Sequence, residues 1–230
     1  MRKFFSAAAV VLCALTVASL AIAGGTDKDC TLQAKPQCNG TNGDDDFIGE
    51  DVDDGNQGAR DFMEGGEGDD GGDGNAGADR MFGGPGIDGE INDFEGDAGN
   101  DLLVGGPGGD DEIEGGSGDD HVMGAGGDDE ELIGESGDDE VEGGSGDDGS
   151  SEFSGGEGKD TMRGGDGADI IDASFMANER DFVFGGGGPD DISAGDGEKD
   201  IIDCGDGNDS VSFDKRIDEL KDCEDKNPVM

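Results

Sequence analysis

The sequence predicts an all-β fold, a solenoid of short parallel strands stacked coil on coil, and three observations carry that prediction. The pattern Gly-x-x-Gly-x-Asp starts at residues 40, 65, 74, 83, 96, 105, 115, 124, 134, 143, 155, 164 and 185, with a Cys-led variant at 204, and most spacings are nine or ten. Self-similarity at a fixed period marks a stacked repeat. An apolar residue stands two positions before the next turn: Met81, Phe94, Leu103, Ile113, Val122, Leu132, Val141, Phe153, Met162, Ile171, Val183, Ile192, Ile202 and Val211. It keeps that place where longer gaps follow 40, 83, 143 and 164, so extra residues are absorbed ahead of the strand. Finally, a chain with 50 Gly, 11 Phe and neither Trp nor Tyr lacks the material for a broad globular core.

The 61 acidic and 14 basic residues, with a formal charge of -47, are also the composition of a disordered chain. Disorder, however, does not require glycines, aspartates and apolar residues to hold a common register. So acidic a surface excludes nucleic acid and anionic lipid as partners and attracts cations.

Four segments are expected. Residues 1–23 read as a signal peptide, with Arg2 and Lys3 ahead of an apolar run from Phe4 that ends in Ala21-Ile22-Ala23. This points to a secreted protein, extracellular or on the cell surface; an uncleaved membrane anchor is the competing reading. Residues 24–39 form an N-terminal cap segment with Cys30 and Cys38, residues 40–212 the repeats, and residues 213–230 a C-terminal cap with Cys223. Two disulfides, Cys30 with Cys38 and Cys204 with Cys223, are the expected pairing, although four cysteines allow three connectivities and a zinc site is the alternative use.

Each unit divides into a turn of six residues, where glycines supply positive-φ conformations, and a strand of three. Two units close one coil, so residues two repeats apart stack at roughly 4.8 Å. Gly72 takes an inward position without a side chain, and the unit at Gly65 is therefore expected to pack poorly. The segment from Glu50 to Glu64 is degenerate, and only Asp61 and Met63 fit the pattern.

Stacking also brings the turn aspartates together. Two carboxylates about 4.8 Å apart repel by roughly 1 kcal/mol even in water, and by more near a protein surface. One apolar side chain per unit does not offset the entropy of ordering nine residues. A divalent cation between stacked turns converts the repulsion into attraction and couples metal binding to folding. The donors on offer are carboxylates and turn carbonyls, which favour Ca²⁺ over Mg²⁺, Zn²⁺ or Cu²⁺. Several Ca²⁺ ions are expected, each bound at about 10⁻⁴ to 10⁻³ M and cooperatively.

The units GGSGDDHVM (115–123), GGEGKDTMR (155–163), GGDGADIID (164–172) and GGGGPDDIS (185–193) resemble the repeats-in-toxin (RTX), or hemolysin-type, calcium-binding nonapeptide GGxGxDxUx. The resemblance covers roughly residues 40 to 212. It implies a right-handed parallel β-roll, a β-helix solenoid of GGxGxDxUx repeats, with Ca²⁺ held by glycine-loop carbonyls and the sixth-position Asp. Carried over residue by residue, that Asp is Asp45, Asp70, Asp79, Asp88, Asp101, Asp110, Asp120, Asp129, Asp139, Asp148, Asp160, Asp169, Asp190 and Asp209. Members exported by type I machinery usually lack an N-terminal leader, so its presence here points to general secretion. The stretch from Asp203-Cys204 to Asp222-Cys223-Glu224 is similar to the Cys-closed termini of exported repeat proteins.

Catalytic patterns are missing: the chain has no H-E-x-x-H and no G-x-S-x-G. The single His121, beside Asp120, is expected to face solvent, and carboxylate doublets such as Asp119-Asp120 and Asp138-Asp139 suit ligation or solvation better than acid–base work. The expected function is a secreted, non-enzymatic calcium-binding protein that folds on binding Ca²⁺ outside the cell. Its expected role is a structural or adhesive module, with cell-surface or extracellular matrix components as partners and no stable membrane insertion after leader removal. The alternatives are an acidic disordered calcium buffer or mineral-associated protein and, third, a surface-acting hydrolase or epimerase.

Overall fold

The computed structural model describes residues 28–29, 37–40, 46–48, 60–88, 94–174 and 179–229. The leader, the pairing of Cys30 with Cys38, and Asp45 lie outside the described residues. Within them are 23 strands, β1 (Lys28–Asp29) to β23 (Asp225–Val229), and no helix. A ten-stranded sheet runs from β2 (Gln37–Asn39) to β22 (Glu219–Lys221), and a nine-stranded sheet from β1 to β15 (Glu152–Ser154). A four-stranded sheet, from β17 (Ile170–Asp172) to β23, packs beside β15. All registered pairs are parallel, and each strand pairs with one about two units away: Leu103 lies opposite Val122, and Val122 opposite Val141. The fold is a parallel β-roll of about 8 turns.

The inward residue sets the register and the turns adjust to it. A coil takes 18 residues from Met63 to Met81 and 22 from Met81 to Leu103, yet both pairs face each other directly. All fourteen apolar positions read from the repeat are at most 2 % exposed. They form a core one side chain deep on each sheet, in which buried and half-buried residues alternate along most strands, as over the first four residues of β14 (Glu140–Ser145).

Gly72 corrects one expectation. Its unit is not loosely packed: Gly72 is buried, in register between Phe47 and Phe94, which are themselves 1 % and 2 % exposed. A Cβ built on Gly72 would fall 2.7 Å from the Phe47 carbonyl oxygen. Two large residues in register thus close over the missing side chain.

The outer faces differ in chemistry. On the ten-stranded sheet, half-buried Phe62, Phe82, Phe182 and Phe184 mix with Arg80 and Arg163; the Phe62 and Phe82 rings are 5.6 Å apart, and the Arg163 guanidinium lies 5.5 Å over Phe184. The nine-stranded sheet instead presents Glu95, Glu112, Glu114, Glu131 and Glu152. His121 is half-buried rather than open to solvent, in register between Leu102 and Glu140. A Cys204–Cys223 disulfide, with Cα atoms 5.1 Å apart, ties the last turn to the closing segment. The strands β22 and β23 extend two of the sheets past residue 212.

Candidate metal centre

The turn glycines are dictated by what stacks against them. A Cβ on Gly167 would lie 1.6 Å from the Gly146 carbonyl oxygen of the preceding coil, so the fourth position of the turn admits backbone only. At the first position, a Cβ on Gly164 would lie 2.2 Å from Asp169 Oδ2 and 2.5 Å from the Gly185 carbonyl oxygen. The space a side chain would fill is therefore where a carboxylate oxygen and the next coil's carbonyl converge.

Those carboxylates form two continuous ladders. Each backbone N–H donates to Oδ1 of the corresponding Asp one coil later: Asp120 to Asp139 at 2.7 Å, Asp139 to Asp160 at 2.9 Å, Asp129 to Asp148 at 3.0 Å and Asp148 to Asp169 at 3.0 Å. One ladder runs from Asp61 through Asp79, Asp101, Asp120, Asp139, Asp160, Asp181 and Asp200 to Asp218. The other runs from Asp70 through Asp88, Asp110, Asp129, Asp148, Asp169, Asp190 and Asp209 to Glu224.

The second oxygen is the informative one. Oδ2 of Asp79, Asp88, Asp101, Asp110, Asp120, Asp129, Asp139, Asp148, Asp160, Asp169, Asp190, Asp200 and Asp209 is buried without a hydrogen-bond partner. Native proteins bury few such atoms, and each costs about 1–3 kcal/mol. A recurring orphan of one kind, on thirteen rungs of the two ladders and in several of them beside the next coil's carbonyl, is a cation-binding arrangement with hard oxygen donors, and Ca²⁺ fits it.

Electrostatics agree with the geometry. Burial pushes Asp110 and Asp139 up to about 8, and Asp88, Asp101, Asp129, Asp169, Asp181 and Asp200 up to about 7. Asp79, Asp120, Asp160 and Asp190 rise to about 6, again chiefly through burial. The N–H from the preceding coil opposes the rise, and neighbouring carboxylates add to it. Without a counter-charge, burial disfavours the ionised form of these carboxylates.

Thirteen of the fourteen aspartates named from the repeat stand in these ladders, each at most 4 % exposed; Asp45 lies outside the described residues. Asp181, Asp200, Asp218 and Glu224 also occupy rungs, and Asp61, which fits the pattern from a degenerate unit, takes its place there too. The first three, like Asp61, lack a full glycine turn before them, but each stands two residues before an inward apolar side chain, as Asp181 does before Val183 and Asp200 before Ile202. An Asp-x-apolar search finds them; the glycine pattern does not. Outside the turns, Glu112, Glu114 and Glu131 bring carboxylate oxygens within 4.8 Å of one another on an outer face.

The model of the RTX calcium-binding nonapeptide repeat, in four copies, matches residues 58–90, 88–110, 95–131, 131–149, 148–175 and 178–211. No curated protein and no solved structure matches the chain.

Proposed function

The chain belongs to the family of RTX calcium-binding nonapeptide repeats, and on that premise we propose a secreted protein that stays unfolded where calcium is scarce and folds on binding it outside the cell. One observation carries the reading: the buried, partnerless Oδ2 recurs rung after rung. A roll that must bury these carboxylates is held together by whatever neutralises them, and coordination by ladder oxygens and turn carbonyls supplies that cohesion. The ligands we assign are the sixth-position aspartates, Asp70 to Asp209 in the two ladders, together with Asp61, Asp181 and Asp200. Calcium binding and folding then form one equilibrium, and millimolar extracellular calcium drives it.

The roll is non-catalytic in this reading, a structural or adhesive module. Support comes from the outer face of the ten-stranded sheet, where Phe62 and Phe82 in one part and Phe182 and Phe184 with Arg163 and Arg180 in another offer a surface to cell-surface or matrix partners. The leader read at residues 1–23 accounts for export.

Circular dichroism and small-angle scattering during a calcium titration test the proposal. Expected are a cooperative gain of β signal and a fall in radius at millimolar Ca²⁺, both reversed by chelator, with a much weaker response to Mg²⁺. A chain that binds calcium yet remains expanded would instead be the acidic buffer, and a chain equally compact in chelator would remove the basis of the proposal.

A further inference from the structure

The turns are not equivalent, because some gaps between coils receive two carboxylates and others one. The ladder Asp reaches backward, as Asp139 does to the Asp120 N–H. Where the fifth turn residue is also Asp, its side chain reaches forward: Asp119 Oδ1 accepts from the Asp138 N–H at 3.2 Å, and its Oδ2 lies 3.4 Å from the Asn100 amide. Both carboxylates therefore enter the same gap. The arrangement repeats for Asp138 with Asp160, Asp128 with Asp148 and Asp147 with Asp169, through bonds of 3.2, 3.0 and 2.8 Å from the N–H groups of Lys159, Asp147 and Ala168 to the forward-reaching carboxylates. Asp69 with Asp88 forms a fifth pair near the other end of the roll, and Asp97, from the second turn position, enters a further gap beside Asp101 through a 3.1 Å bond from the Asn75 N–H. In each gap the ladder partner, Asp139, Asp160, Asp148, Asp169, Asp88 or Asp101, is almost fully buried and keeps a partnerless Oδ2.

Resting on the calcium reading above, we propose that these two-carboxylate gaps are a distinct, tighter class of calcium site, and that the four contiguous ones, in the coils from Asp119 to Asp169, bind first and nucleate the roll. Two carboxylates neutralise a divalent ion, whereas one leaves a net positive charge beside the coil; calcium affinity follows the ligand charge count. Elsewhere among the described turns the fifth residue is Ala78, Ile87, Asn100, Gly109, Ala168, Pro189 or Asn208, none of which adds charge. Before Asp160 it is Lys159, which lies over the Phe182 ring and opposes a cation. The added carboxylate makes these gaps tighter by about tenfold or more. Filling the central four orders adjacent coils, from which strand pairing spreads outward.

Calcium binding by the purified protein, measured by competition with a chromophoric chelator and by isothermal titration, tests this. The expected isotherm resolves a tight class of sites from the weaker remainder. Asp119→Asn, Asp128→Asn, Asp138→Asn and Asp147→Asn together retain the Oδ1 acceptors and remove the charges; this variant is expected to lose four tight sites and to fold only at about tenfold higher calcium. A control with Glu179→Gln, Asp191→Asn, Glu198→Gln and Asp225→Asn removes the same charge elsewhere and is expected to keep every tight site. Should the quadruple variant fail to fold at saturating calcium, the single Asp119→Asn substitution is expected to delete one tight site. Equal loss in variant and control, or no loss in the single substitution, overturns the inference while leaving calcium binding intact. A parent protein that binds no calcium overturns the functional reading itself.

Discussion

Replacing Gly137 with alanine probes whether coil stacking, rather than glycine flexibility as such, selects the turn residues. The added Cβ would lie 1.6 Å from the Gly118 carbonyl oxygen, on a residue whose φ is +144°. Clearing that contact requires the two coils to part by more than 1 Å, and the bonds at risk across that gap include those from the Gly118 N–H to the Ser136 carbonyl at 2.8 Å and from the Asp120 N–H to Asp139 Oδ1 at 2.7 Å. Backbone strain at such a φ costs about 1–3 kcal/mol, and each weakened hydrogen bond about 0.5–1.5 kcal/mol. The expected loss is about 4 kcal/mol, or roughly 10 °C in melting temperature for a chain of this size. Gly187 is the matched control. Its Cβ would meet nothing nearer than Asp166 Oδ1 at 3.5 Å, and its backbone is not left-handed, so Gly187→Ala is expected to change stability by no more than about 0.5 kcal/mol. Thermal unfolding followed by circular dichroism at one saturating calcium concentration separates the two. Equal melting temperatures for the two variants would refute the reasoning.

Three further outcomes are expected. Burial pushes twelve of the ladder aspartates up to between about 6 and about 8, above the ordinary carboxylate value of about 3.9; their contribution to the metal-free fold is therefore fully present below about pH 4 and lost as pH rises through 6 to 8. In chelator, acidification from pH 8 to pH 5 is expected to increase β signal, whereas calcium affinity rises over pH 6 to 8 as protons cease to compete; a flat response in chelator would contradict the buried ladder. Gly72→Ala is expected to destabilise the roll by about 1–3 kcal/mol in chemical denaturation, because the new methyl meets the Phe47 carbonyl oxygen at 2.7 Å; stabilisation would mean that a void exists there. Cys204→Ser with Cys223→Ser opens a closure spanning 19 residues and is expected to cost about 3 kcal/mol, with deuterium exchange rising first in β20 (Ile201–Asp206), β22 and β23; uniform exchange along the roll would argue against a terminal clasp.

Much of the fold was legible in one dimension because each unit repeats the same physical bargain: glycines for the turn, one apolar side chain for the core, one Asp for the ladder. Val122, Leu132 and Val141 could be placed inward from spacing alone, and so could Asp120, Asp129 and Asp139, since a parallel roll copies a position from coil to coil. The glycine motif failed where turns are degenerate, at Asp61, Asp181 and Asp200, because the ladder depends on the distance from Asp to the inward residue and not on the turn that precedes it. Gly72 misled for a related reason: its volume is filled by Phe47 and Phe94, which are far away in sequence.

What the sequence by itself determined is therefore everything that one unit specifies locally: the period, the strand-and-turn division, the inward column, and a carboxylate delivered to each turn. Only the tertiary structure decided which groups share a gap. Neighbours along the roll are 15 to 25 residues apart, so the direction in which Asp119 or Asp139 reaches, the partnerless state of the Oδ2 atoms and the pairing of carboxylates across coils are properties of stacked backbones. Electrostatic and steric interactions act over a few ångströms of space, and a pattern along the chain records that proximity only after the coils have closed.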